Sequence, residues 1–144
     1  MLIVEEFFEK IFFPNLKKYT ETSSIYGPLV TKAMPQESKR FPIVPIKLID
    51  SISKYTTLSY DEEAFSFGII INVYAVDNGN TSKRTICNEV TNTIVNYIKN
   101  EYKMTVKIEL DVPNSDSNVQ RNIITITGKI DTKYGLDKLV IYPK

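Results

Sequence analysis

Ala64-Phe65-Ser66-Phe67-Gly68-Ile69-Ile70-Ile71-Asn72-Val73-Tyr74-Ala75-Val76 is the stretch on which the fold turns. Phe65, Phe67, Ile69, Ile71, Val73 and Ala75 recur at every second position, the period of a strand whose successive side chains point to opposite faces. That face is expected to be core. The other carries Ser66, Gly68, Ile70, Asn72, Tyr74 and Val76, and Ile70, Tyr74 and Val76 make it too apolar to leave in water. A helix or a neighbouring subunit has to cover part of it.

Downstream, Asp77-Asn78-Gly79-Asn80 breaks the strand, and Thr81 or Ser82 can cap a helix running to about Tyr102. Its stripe of Ile86, Val90, Ile94, Tyr97 and Ile98 keeps the three- and four-residue spacing of one helical face. Met104, Val106, Ile108, Leu110 and Val112 then alternate with polar residues, which predicts a half-buried strand ended by Pro113. The turn Asn114-Ser115-Asp116-Ser117-Asn118 leads into a return strand with Ile124, Ile126, Gly128 and Ile130 on one face. The two strands make a hairpin. Gly68 and Gly128, inside strands, suggest bulges or close backbone approaches.

Upstream, Phe41-Pro42-Ile43-Val44-Pro45-Ile46-Lys47-Leu48-Ile49 reads as a strand whose prolines cannot donate to a ladder, so an edge position or irregular pairing is implied. Ile3, Phe7, Ile11 and Phe12 define an amphipathic first helix, with its firm part placed before Pro14. From Thr20 to Arg40 the chain mixes Thr, Ser, Gly, Pro and charge. The whole predicts one α+β domain over 1–144: a mixed or antiparallel sheet packed by two helices in the order α-β-β-α-β-β. A long irregular arm at 20–40 follows the first helix, and a tail at 132–144 closes the chain.

The composition, 42% apolar and 24% charged over 144 residues, suits a folded domain with its own core. A formal charge of +1 offers no global attraction for nucleic acid, and surfaces such as Lys17-Lys18-Tyr19 or Lys129, Lys133 and Tyr134 read better as solvated ends. The N-terminus meets Glu5 and Glu6 too early for a signal peptide, and no apolar run approaches the ~20 residues of a membrane span. A soluble protein without a membrane role is expected.

The chemistry is mostly defined by what is missing. The chain has no histidine, which removes Ser-His and Cys-His dyads and the most usual zinc ligand. The single cysteine, Cys87, falls beside the apolar stripe and is expected to be a small buried hydrophobe. The five glycines are scattered and form no phosphate loop. Asn114, Asp116 and Asn118 alternate like the opening of a calcium loop, but Val119 stands at the required glycine and no glutamate closes it. No catalytic residue, cofactor site or metal site is expected. The chain does not look like an enzyme.

The ordered set of Phe41-Pro42-Ile43-Val44, the strand ending Tyr74-Ala75-Val76-Asp77, the helix with Arg84, Ile86, Cys87 and Glu89, and the strand Gln120-Arg121-Asn122-Ile123 through Gly128-Lys129-Ile130-Asp131 resembles the small tail terminator and tail completion proteins of tailed bacteriophages. The resemblance spans about Phe41 to Asp131, and departs from that family in the Ile and Thr of the last strand and in the prolonged arm. It implies a homo-oligomeric ring, expected to be a hexamer, at the head-proximal end of a phage tail. Such a ring ends tail-tube polymerisation and offers a surface to the head. The implied partners are the tail tube protein, the sheath where there is one, and the head connector or neck proteins, with DNA only passing through the lumen. The implied location is the virion, after assembly in the host bacterial cytoplasm. A head completion adaptor on the portal, or a cellular α+β regulatory domain, are the alternatives.

A ring of identical subunits needs two different patches on each copy. Tyr26, Leu29 and Met34 on the arm, and Leu139, Ile141 and Tyr142 on the tail, are the candidate interface residues. The arm reads equally as a surface loop or a weak hairpin over 25–30, and the tail reads either as an edge strand of its own sheet or as strand addition to a neighbour. Asp61-Glu62-Glu63, a solvated acidic loop tip on its own chemistry, is a candidate lumen loop in such a ring, where negative charge would keep DNA from sticking.

Overall fold

A computed structural model of the chain describes residues 2–32, 40–50, 54–56, 63–131 and 140–143. The first helical run is continuous past Pro14: α1 spans Leu2–Phe7, a π turn spans Phe8–Phe12, and α2 spans Phe13–Ser23. At the junction the Phe13 N–H bonds the carbonyl of Phe8, five residues back. The widened turn loosens the ladder just ahead of Pro14, whose missing N–H then falls in the first turn of α2, where it costs little. The expectation that the firm helix lies before Pro14 is therefore corrected. The longest regular part follows it.

Among the described residues seven strands build one mixed sheet. They are β1 (Leu29–Thr31), β2 (Ile43–Asp50), β3 (Lys54–Thr56), β4 (Glu63–Ala75), β5 (Thr105–Glu109), β6 (Gln120–Asp131) and β7 (Val140–Pro143), with α3 (Lys83–Glu101) between β4 and β5. The order across the sheet is β1-β2-β4-β6-β5; β3 also pairs with β4, and β7 with β6. β1 runs parallel to β2, and every other pair is antiparallel. The predicted α+β class holds, with the short strands β1, β3 and β7 added to the expected order.

Part of the expected arm is regular structure: Thr20 to Ser23 complete α2, and Leu29–Thr31 form β1. β2 is covered by β1 over 43–45, and beyond Pro45 no described strand pairs with that side of it. Its register with β4 passes over Val44 and Pro45, as a proline without an N–H requires, and shifts again between Leu48 and Asp50.

Both helical units lie on the same face of the sheet. Val4, Phe7, Phe8, Phe12, Phe13 and Leu16 of the first run share one core with Phe67, Ile69, Ile71, Val73 and Ala75 of β4 and with the α3 stripe. Phe7 is its hub, with ring centroids 6.0 Å from Phe12, 5.9 Å from Phe67 and 5.9 Å from Tyr102. α3 starts as predicted, Ser82 Oγ accepting the Thr85 N–H at 3.2 Å. Among the described residues no helix covers the opposite face. There Ile70, Tyr74 and Val76 are half-buried, and the Arg121 guanidinium lies 5.7 Å from the Tyr74 ring centre while donating to Asn72 Oδ1 at 3.1 and 3.0 Å. Gly68 marks a close approach on this face, since a Cβ there would stand 3.1 Å from Ile49 Cγ1.

The half-buried row predicted around β5 holds in part. Met104 and Val106 pack against the core, but Ile108 is 40% and Leu110 58% exposed. β5 pairs only with β6 among the described strands, and that end of its apolar row runs past the helices that cover the centre of the sheet.

Candidate assembly interface

The sheet has two different sides, and they are closed to different degrees. On one side is β1, whose Leu29 N–H bonds Pro42 O at 3.0 Å and so faces β2. Alternation then turns the backbone groups of Val30 outward. Both are taken by side chains of α2: Glu21 Oε2 accepts the Val30 N–H at 3.0 Å, and Lys17 Nζ donates to Val30 O at 2.8 Å. Lys17 and Glu21 also pair with each other at 2.6 Å. Burial pushes the Glu21 carboxyl up, but hydrogen bonds from Lys17 and Val30 and the charges of Lys17 and Arg40 outweigh it and leave the pKa lowered. A strand edge is usually a template for another strand. Here it is sealed.

Beyond Pro45 β1 no longer covers β2. Because Pro42 O points towards β1, alternation sends the backbone groups of Val44, Ile46 and Leu48 the same way, and no described strand pairs with 46–50 on that side. Between this open edge and the first helix lies a groove of about 350 Å³, floored by Phe8, Ile46 and Leu48 and rimmed by Glu5, Glu9 and Lys32. Lys32 and Glu9 form an ion pair across the rim. On the far side of the sheet, Ile108 of β5 and Leu110, just past the end of that strand, are exposed, and the side chains of Lys107 and Glu109 stand 3.7 Å apart.

The residues singled out by sequence fall in several places. Tyr26 is half-buried against the core and, with Phe41, Pro42, Val76, Asp77 and Ile86, lines a pocket of about 250 Å³ at the end of the sheet where β4 stops. Leu29 lies in the sealed strand β1. Ile141 and Tyr142 belong to β7 and pair with Ile130 and Lys129 of their own β6, so the tail is an edge strand of its own sheet in the fold. Glu63 opens β4. Met34, Asp61, Glu62 and Leu139 lie outside the described residues. An edge position was expected for β2, though not which half of it, which depends on where β1 ends; the edge at β5 was not expected, because Ile108 and Leu110 carry the same alternation as core residues.

Polar residues beneath the β5 end are structural in their contacts. Asn122, fully buried, donates to Asn88 Oδ1 and Thr91 Oγ1, each at 3.0 Å, and its Oδ1 accepts the Asp111 N–H at 3.0 Å. Asp111 has φ +57°, and its carboxylate is shared by Arg84 and Gln120. The Cys87 Sγ–H points at Val73 O, 3.3 Å away, and burial first, with the Asp111 charge, raises the thiol to about 12 against a weaker lowering hydrogen bond from the Asn122 backbone. At that value the thiol stays protonated. Asp116 accepts the Asn118 N–H at 2.9 Å, and the described residues hold no cluster of metal-ligating side chains. No described helix is long and apolar enough to cross a membrane.

No protein-family model matches the chain, and no curated protein sequence matches it.

Proposed function

We propose that this chain is the repeating subunit of a closed homo-oligomeric ring at the head-proximal end of a phage tail, where it ends tube polymerisation and presents the surface that joins the head. The observation that carries the reading is the one-sided sheet: both helical units pack on one face, and among the described strands β2 beyond Pro45 and β5 are unlike, unpaired edges on opposite sides of the sheet. Two different patches on each copy are what a heterologous, ring-closing contact requires. The described residues bring no set of nucleophile, base and oxyanion donors together, and the reactive group with the clearest shift, Cys87, is held protonated. The element order that resembles tail terminators supplies the place of such a ring. Labelling the chain in assembled particles and imaging them tests this: label at the head-proximal end of the tail is the expected result, and label absent from particles refutes it.

A further inference from the structure

Two transverse rows cross the helix-covered face of the sheet. Ile46, Ile71, Ile124 and Ile108 form one, and Leu48, Ile69, Ile126 and Val106 the other, each residue being the direct partner of the next. β5 is thus level with the part of β2 that β1 leaves uncovered. Three antiparallel steps separate the strands, so β5 runs opposite to β2. If copies follow one another about an axis along the strands, heights and directions are kept, and β5 of one copy arrives beside 46–50 of the next as an antiparallel neighbour.

We infer that the ring-forming contact is strand addition between two copies of this chain: β5 of one joins the open outer edge of β2 of the next. The inference rests on the ring reading above. β1 itself is excluded as a template, since Lys17 and Glu21 occupy the outward groups of Val30. The register follows from charge and face. An odd shift would turn the apolar row of β5 away from the helices, so the shift is even. With no shift Lys107 stands opposite Lys47, like charges on one face. A shift of two residues places Glu109 opposite Lys47, Ile108 opposite Leu48 and Leu110 opposite Ile46. The two exposed apolar residues of the β5 side then enter the groove floored by Phe8, Ile46 and Leu48. A stagger of this kind is what a sheet closing on itself needs.

The test uses the full chain. Lys47→Glu and Glu109→Lys are each expected to weaken self-association at least tenfold in sedimentation velocity, and the double exchange to restore it, while circular dichroism of all variants stays unchanged. In a Cys87→Ala background, Lys47→Cys with Glu109→Cys is expected to cross-link copies into a ladder under mild oxidation, and each single cysteine alone to give none. Rings that form normally with either charge reversed and do not cross-link at these positions overturn this contact and leave the ring itself standing. A wild-type chain that sediments as a monomer at every concentration overturns both.

Discussion

Glu21 holds the outward-facing backbone amide of Val30, Oε2 to N at 3.0 Å, and in doing so ends the sheet on that side. Lys17 completes the closure from the same helix face by taking Val30 O. The carboxylate is the titrating part of this lock. Its folded pKa lies below 4.5, so its contribution to stability is full above the unfolded value and is lost as pH falls through the folded one. Glu21→Gln should lower stability at neutral pH by about 1–2 kcal/mol. The difference between variant and wild type should shrink as urea titrations move to lower pH, and a difference constant from pH 7 to pH 3 would contradict the assignment.

Removing the lock has a second effect. Lys17→Ala with Glu21→Ala frees both backbone groups of Val30, turning a sealed edge into an open one. Light scattering of this variant should show open-ended, concentration-dependent aggregation in place of a species of fixed size.

Phe7 tests whether the first helix is part of the core. It is 1% exposed and touches Phe12, Phe67 and Tyr102, so Phe7→Ala should cost about 3–5 kcal/mol in chemical denaturation. A loss below about 1 kcal/mol would mean that the helix docks only loosely on the sheet.

How far the sequence foretold this can be followed residue by residue. The alternation from Phe67 to Ala75 and the stripe from Ile86 to Ile98 were legible, because each is a local period that burial then obeys. Pro14 was misread, since the rule that proline ends a helix assumes a regular i−4 ladder, and here a π turn precedes it. β1 was invisible: three residues carry no period, and its bonds go to β2 and to the side chains of Lys17 and Glu21. Ile108 and Leu110 misled for the opposite reason, repeating a core pattern where the sheet outruns its helices. The interface was the least legible part, because an edge is defined by which strand is next to it and not by its own residues.

Asn122 is the polar keystone under the β5 end. Asn122→Leu keeps the volume but takes the partner from the buried Thr91 Oγ1 and from the part-buried Asp111 N–H and Asn88 Oδ1. A loss of about 2–4 kcal/mol is expected in thermal or urea unfolding. A variant as stable as wild type would show that the network contributes little.

Cys87 should ignore thiol reagents in the native protein. With the thiol raised to about 12 and fully buried, alkylation at pH 8 should proceed only as fast as the chain unfolds. Mass spectrometry of timed samples reads this directly; rapid labelling of folded protein would mean an accessible thiolate and a reactive role for Cys87.

The central claim, that this chain closes into a ring, is tested most directly by electron microscopy of the purified protein. Particles of uniform diameter with a central hole are the expected result. A field of single-chain particles at every concentration tried would contradict it.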